Sequence, residues 1–237
     1  MGLFDFIKKI LVPHQSQPNV QQSQHNVPPS QIVPSALVQI HKAPIVPGNI
    51  AAIKTDCFVL HFETTGFNAY GDTSKVSTSM ITAIKCARFK DMQMVDHFYT
   101  LVNPGRPIMV DAFEASGISN QMVQTAPTIE QAFPHFINYF QDAFRGTLVL
   151  VYNADFTSKF LQATMQRLMI SGDIRMFDVM KLADKKILTD NYPTMMQAMK
   201  ASKYKDRELK NDIHKCQAIA KIAFTLVDVP DNSIEVK

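Results

Sequence analysis

Cysteine is scarce in this chain of 237 residues: Cys57, Cys86 and Cys216 lie far apart, and no CxxC pair occurs. An odd, scattered set argues against a disulfide framework or a cysteine zinc site and indicates reduced, buried thiols. We therefore expect a cytoplasmic protein. No apolar run approaches the ~20 residues that span a bilayer. We expect no secretory signal, because the N-terminus lacks a long apolar core followed by a small-residue cleavage site.

A strong excess of charge is also missing. The formal net charge is +3, of which residues 1–50 hold +2. Bulk charge is therefore too small to predict nucleic-acid binding by itself. The hydrophobic fraction of 46% is ordinary for a globular core, and the length suits one domain of roughly 150–200 residues with an appendage.

The composition changes along the chain and predicts four regions. Residues 1–12 form an amphipathic N-terminal segment, with apolar side chains at helical spacing. This segment docks on a protein or membrane surface, packs on the domain, or is a nascent helix without a role. Residues 13–50, rich in Gln, Pro and Ser, read as a disordered linker. Residues 51–230 form the folded domain, and residues 231–237 form a tail.

Hydrophobic patterns in the folded region predict strands first and then alternating strands and helices. Three strands separated by short turns suggest an antiparallel meander, and the apolar run at 147–152 suggests a strand buried on both faces. The order predicts an α/β protein with a mixed sheet. The predicted strands are 53–63, 78–89, 94–102, 147–152 and 175–177, and the predicted helices are 112–116, 128–144, 153–170, 178–186, 193–201 and 209–226.

The central stretch of the chain runs from Cys57 to Phe67, where an apolar run leads into His61, Glu63 and a Thr-Thr-Gly sequence. Residues two apart in a strand point to the same face, so His61 and Glu63 should project together. Gly66 permits the sharp exit that ends the strand.

This stretch resembles the first motif of the DEDDh-type 3′–5′ exonuclease superfamily, typified by the epsilon proofreading subunit of bacterial DNA polymerase III and by RNase T. That motif is an apolar run followed by Asp-x-Glu-Thr-Thr-Gly. Further segments similar to family motifs follow in the same order, and the resemblance covers nearly all of residues 54–227. It implies a ribonuclease H-like fold, with a mixed sheet of an antiparallel meander plus parallel strands, flanked by helices. The further segments lie at 101–108, 117–119, 126–128, 153–161, 177–183 and 212–218.

The resemblance also implies a catalytic centre, in which four carboxylates hold two Mg²⁺ or Mn²⁺ ions and a histidine acts as general base. Glu63 and Asp212 stand at two of the acid positions and are the expected metal ligands. His61 replaces the first acid, Thr157 replaces the second-motif acid, and Arg207 replaces the base. Two residues are candidate substitute ligands: His61 itself, and Asp155, an acid two positions before Thr157. The cofactor is therefore Mg²⁺ or Mn²⁺ if the site is active, and none otherwise.

Because arginine stays protonated in proteins, Arg207 cannot act as the base. We hypothesise that its guanidinium pairs with Glu63 and Asp212 where metals would sit, so that hydrolysis is lost or strongly weakened. The resulting pseudoenzyme would still bind the 3′ end of DNA or RNA. Two alternatives remain open: an active exonuclease with a rearranged ligand set, and a non-enzymatic protein-interaction module. By resemblance, the residues that would contact the nucleic acid are Thr64, Thr65, Gly66, Phe67, Asn153 and Phe156.

Overall fold

A computed structural model of the chain describes residues 38–67, 79–204 and 213–235. The amphipathic segment 1–12, the first part of the predicted linker, Arg207 and Asp212 lie outside the described residues.

Six strands form one mixed sheet in the order β1-β6-β5-β2-β3-β4. The four strands from β1 to β2 in that order run parallel to their neighbours, whereas β2, β3 and β4 form an antiparallel meander. The predicted α/β class with a mixed sheet is therefore confirmed. The strands are β1 (Val38–Ala43), β2 (Asp56–Thr64), β3 (Ile81–Lys90), β4 (Gln93–Leu101), β5 (Leu148–Val151) and β6 (Gly172–Asp178).

Helices cover both faces of the sheet. They are α1 (Pro47–Thr55), α2 (Val110–Ser116), α3 (Asn120–Val123), α4 (Ile129–Phe140), α5 (Ala154–Arg167), α6 (Val179–Lys186), α7 (Met195–Ala201) and α8 (His214–Leu226), and a 3₁₀ turn (Gln141–Arg145) follows α4. None of these helices is long and apolar enough to cross a membrane. A second, two-stranded parallel sheet pairs β7 (Ile187–Leu188) with β8 (Ile234–Glu235).

Strand alternation divides the core into two layers. Phe58 and Phe62 of β2 belong to the layer that contains the aromatic side chains of α4, and the rings of Phe136 and Phe140 stack with centroids 4.8 Å apart. Cys57 and Val59 face the opposite way, into the layer formed with α6, α7 and α8. Successive strand residues point to opposite faces, so the odd-numbered residues of β2, His61 and Glu63 included, face the second layer.

The meander register brings β2 and β3 side chains together on that face. His61 lies opposite Lys85, and Glu63 lies opposite Ala83. The pairing shifts between Glu63 and Thr64, which indicates a bulge at the end of β2. A bulge bends the strand and redirects the residues that follow it.

The predicted linker, residues 13–50, extends too far, because β1 and the start of α1 lie within it. β1 pairs in parallel with β6, and Val38 is buried. Pro47 begins α1, where its fixed φ favours a helix start, so this proline does not indicate disorder. Residues 53–55 are consequently helical and do not open the first strand. The predicted tail, 231–237, is also too long, since β8 belongs to it and pairs with β7.

Candidate functional site

Two lysine side chains contact the carboxylate of Glu63. Lys85, from the middle of β3, places its Nζ atom 3.1 Å from Glu63 Oε1. Lys215, from the first turn of α8, places its Nζ atom 2.8 Å from the same oxygen. The exposed fractions of these side chains are 1% for Lys85, 12% for Lys215 and 7% for Glu63. Glu63 is therefore a buried carboxylate neutralised by ammonium groups.

The packing of α8 on the sheet creates this cluster. Helix α8 lies against β2 and β3, and the Cys216 thiol contacts the Lys85 carbonyl oxygen at 3.3 Å. The neighbouring residue, Lys215, then reaches Glu63 and also donates to the Ala115 carbonyl oxygen at 3.4 Å. The layer that buries Cys216 thus directs Lys215 into the site.

His61 completes the cluster. Its Nε2 atom lies 3.3 Å from Glu63 Oε1, although no atom among the described residues forms a well-aligned hydrogen bond with it. Burial lowers the pKa of His61 and outweighs the opposing attraction of Glu63. His61 is therefore a neutral imidazole at pH 7.

The charges around Glu63 determine its protonation state. Burial alone would raise the pKa of Glu63, but His61, Lys215 and Lys85 together hold this pKa well below its usual range. Because His61 itself is neutral at pH 7, we attribute the shift mainly to the two ammonium groups. Glu63 is therefore ionised at neutral pH.

The described residues around Glu63 do not fit the pair of divalent metal ions that the sequence resemblance implies. Mg²⁺ needs several hard oxygen ligands, whereas the groups around Glu63 are two ammonium groups and an imidazole. Within residues 38–67, 79–204 and 213–235, no three His, Cys, Asp or Glu side chains are close enough together to hold a metal. An ammonium group also repels a cation that approaches the same carboxylate.

Neither residue considered in the second motif adds a carboxylate to this cluster. Asp155 forms an ion pair with Lys42 of β1, and this hydrogen bond lowers the pKa of Asp155 despite partial desolvation. β1 is separated from β2 by two strands of the sheet. Thr157 is buried in α5, at 2% exposure, and has no ionisable group.

The turn before α5 is held by polar side chains. Asn153 adopts a left-handed conformation, with φ 71°, and its side chain accepts a hydrogen bond from the Phe156 amide. The buried carboxylate of Asp178, at the end of β6, accepts a hydrogen bond from the Ala154 amide at 3.1 Å. Tyr152 donates its hydroxyl hydrogen to the Pro193 carbonyl oxygen at 2.6 Å. These contacts fix where α5 begins, and Phe156 packs its ring against Phe160.

The segment after Glu63 turns sharply at the end of β2. Thr65 exchanges two hydrogen bonds with Met80: its amide donates to the Met80 carbonyl oxygen, and its hydroxyl accepts from the Met80 amide. The Thr64 hydroxyl donates to the Gly66 carbonyl oxygen at 2.6 Å. Phe67 is 75% exposed, so a large apolar ring projects from the turn.

Lys85 and Lys215 were not predicted as site residues from the sequence. One signal for Lys85 was present: it interrupts the buried apolar pattern of β3 on the face that His61 shares. For Lys215 the signal lay in the sequence alone: in the helix predicted over 209–226 it follows Asp212 by three residues, a spacing expected to place two side chains on the same helix face. The predicted contact between Arg207 and Glu63 involves a residue outside the described part of the chain, so it stays a prediction.

The chain belongs to the Exonuclease family (RNase_T), whose profile matches residues 58–220, more than half of the sequence. The matched region spans β2 to α8 and includes the cluster around Glu63. The predicted membership of the 3′–5′ exonuclease superfamily is therefore confirmed.

Similar curated proteins include DNA polymerase III proteins. The chain is 29% identical over 141 residues to the PolC-type DNA polymerase III of Caldanaerobacter subterraneus subsp. tengcongensis, covering 59% of this chain and 9% of that protein. It is 28% identical over 111 residues to the DNA polymerase III subunit epsilon of Pasteurella multocida, covering 46% of this chain and 42% of the subunit. The chain thus matches a small part of the first protein and under half of the second.

Solved structures confirm the fold. Exonuclease X in complex with 5′ overhanging duplex DNA superposes with a TM-score of 0.51 at 20% identity, over 73% of this chain and 91% of that chain. A 3′-exonuclease solved for 3′-end specific recognition of histone mRNA stem-loop gives a TM-score of 0.56 at 16% identity, over 73% and 64% of the two chains. The predicted ribonuclease H-like exonuclease fold is therefore confirmed.

Proposed function

We propose that this exonuclease-family domain binds the 3′ end of a nucleic acid and hydrolyses it weakly or not at all. The observation that carries the proposal is that Glu63 Oε1 lies 3.1 Å from Lys85 Nζ and 2.8 Å from Lys215 Nζ. This glutamate would have to coordinate metal for two-metal hydrolysis, and ammonium groups already contact it.

Restoring a metal site would require several unfavourable changes. Lys85 would have to leave Glu63, yet its side chain is 1% exposed and cannot turn into solvent without opening the packing of α8 on β3. Thr157 supplies no carboxylate, and Asp155 is paired with Lys42. An unpaired ammonium group left in the core would be strongly destabilising.

Retention of binding is supported by the family and by the segment after Glu63. Among solved structures with the same fold, one is a complex with 5′ overhanging duplex DNA and another concerns 3′-end specific recognition of a histone mRNA stem-loop. In this chain, Thr65 is fixed by two hydrogen bonds to Met80, and Phe67 presents an exposed ring. Exposed aromatic rings are suitable platforms for stacking a nucleobase.

The test uses single-stranded DNA and RNA oligonucleotides labelled at the 5′ end and carrying a free 3′ hydroxyl. The full chain is incubated with each oligonucleotide in Mg²⁺ and in Mn²⁺, and both retention and length are measured. We expect retention without shortening, and weaker retention of a circular oligonucleotide that has no 3′ end. Shortening that requires metal would support the active-exonuclease alternative and contradict the proposal. If the chain neither retains nor shortens the oligonucleotide, the proposal is contradicted and the protein-interaction module is favoured.

Two further proposals concern the cell. We propose a cytoplasmic location, supported by three cysteines that are all free and buried, and tested by fractionation of cells that carry the tagged full chain.

We also propose that residues 1–12 dock on a protein or membrane surface, supported by the amphipathic spacing of their apolar residues. A fluorescently labelled peptide of residues 1–12 that binds neither vesicles nor proteins in a cell extract would contradict this docking proposal.

A further inference from the structure

The cluster around Glu63 carries an excess of positive charge. Among its described members, Lys85 and Lys215 each contribute an ammonium group, Glu63 contributes one carboxylate, and His61 is neutral. The sum of these side chains is one positive charge. This charge lies at the end of β2, next to the segment that resembles a nucleotide-binding turn.

A buried positive charge favours an anionic partner. Taking a charge out of water is strongly unfavourable unless an opposite charge or hydrogen bonds replace the lost hydration. Glu63 supplies one negative charge for two ammonium groups. An anion that reaches the cluster would therefore contact an ammonium group that is already partly desolvated and held in place. Binding would not require the ordering of a mobile lysine side chain, so that entropy cost would be absent.

The geometry leaves donors for such an anion. An ammonium group has three hydrogens. In the described part of the chain, the Lys215 ammonium group contacts two oxygen atoms: it forms an ion pair with Glu63 Oε1 and donates a hydrogen bond to the Ala115 carbonyl oxygen at 3.4 Å. Lys85 Nζ has one acceptor among the same residues. Lys215 is 12% exposed and Lys85 is 1% exposed, so an anion would approach from the Lys215 side.

We propose that Lys215, supported by Lys85, forms a metal-independent binding site for one phosphate group near the 3′ end of the nucleic acid. This inference rests on the proposed function, because the phosphate belongs to the strand that the domain retains. The two ammonium groups carry the same total charge as one divalent metal ion. They neutralise a phosphate but cannot activate a water molecule, because a lysine ammonium group has no acceptor for its proton.

The test measures fluorescence anisotropy of a 5′-labelled oligonucleotide titrated with the full chain in EDTA, and again in Mg²⁺. We expect the same affinity in both buffers. The variant Lys215→Met should weaken binding about tenfold, the typical effect of losing one charge-assisted hydrogen bond. It should also reduce the slope of log K against log salt by about 0.7, the value for one phosphate contact on a single strand.

Lys221 provides the matched control, because it lies on the same helix and is exposed. Lys221→Met removes the same charge from α8 at a site away from Glu63 and should leave both the affinity and the salt slope close to those of the wild type. Lys215→Arg keeps the charge and should retain affinity to within a few-fold. Thermal unfolding checks that each variant is folded, and Lys215→Gln replaces Lys215→Met if the latter does not fold.

The outcomes separate this inference from the proposed function. A wild-type chain that binds the oligonucleotide only in Mg²⁺, or a Lys215→Met variant that binds with wild-type affinity and salt slope, would overturn the phosphate site and leave 3′-end binding intact. A folded wild-type chain that retains no oligonucleotide in either buffer would overturn the proposed function, and the phosphate site with it.

Discussion

Replacing Glu63 with glutamine should destabilise this protein, whereas the same substitution should stabilise a metal-free exonuclease. In a site built from clustered carboxylates, the acids repel one another when metal is absent, so removing one relieves repulsion. Here Glu63 is the carboxylate that contacts both Lys85 and Lys215. Its removal leaves two largely buried ammonium groups without that counter-charge. The sign of the stability change therefore distinguishes the two kinds of site.

The expected magnitude follows from burial. Removing one partner of a buried ion pair costs about 3–5 kcal/mol. Glutamine keeps a carbonyl oxygen that can still accept from one lysine, so we expect a loss near 3 kcal/mol. For a domain of this size, about 1 kcal/mol corresponds to a change of roughly 2–4 °C in the melting temperature. Glu63→Gln should therefore lower the melting temperature by about 6–12 °C.

Urea denaturation and thermal unfolding in EDTA measure this change. The control is Asp155→Asn, which removes the carboxylate of the exposed pair with Lys42 and should cost about 0–1 kcal/mol. The double variant Glu63→Gln/Lys85→Met should recover part of the lost stability, because apolar replacement of a buried ion pair is often neutral or stabilising. A Glu63→Gln protein that is as stable as the wild type, or more stable, would refute the reasoning.

Two further predictions concern acid stability and the opposite end of β2. The pKa of His61 is lowered in the folded state, so the unfolded state binds a proton more readily than the folded state. The free energy of unfolding should therefore fall as pH drops below about 6.5. Urea titrations across this range should show a smaller fall for His61→Gln than for the wild type. Glu63, whose pKa is lowered, contributes stability above its unfolded value of about 4.3 and loses it only at lower pH. Arg88→Met should cost about 1–3 kcal/mol in urea titrations, because the guanidinium bonds Asp56 at 2.9 Å and Asp142 at 2.5 Å. Anisotropy should show unchanged oligonucleotide binding in this variant, since Asp56 and Glu63 lie about 23 Å apart along the strand.

Much of the fold was predictable because its signals are local. The meander β2-β3-β4 followed from three alternating or apolar runs, although only the connection from β3 to β4 is a short turn and residues 65–80 separate β2 from β3. The apolar run at 147–152 correctly indicated the buried strand β5. β1 was missed because it pairs with β6, whose residues lie more than 130 positions further along the chain. Its own composition, between prolines and with only Val38 and Ile40 apolar at alternate positions, resembles that of a linker.

The site was less predictable, because long-range packing decides which polar side chains face inward. The sequence indicated that His61 and Glu63 share a face, and the structure places them 3.3 Å apart. A lysine in an alternating strand usually faces solvent, but α8 covers that face of β3 and encloses Lys85. From the sequence we expected Arg207 to be the cation that pairs with Glu63. Among the described residues, the cations that contact Glu63 are instead Lys85 and Lys215.

Calorimetric titration of the metal-free full chain with Mn²⁺ tests the central claim most directly, since that claim is that ammonium groups stand where metal would bind Glu63. The account predicts no binding at micromolar concentrations, and identical heats for the wild type and for Glu63→Ala. Micromolar binding of Mn²⁺ by the wild type that disappears in Glu63→Ala would contradict the account.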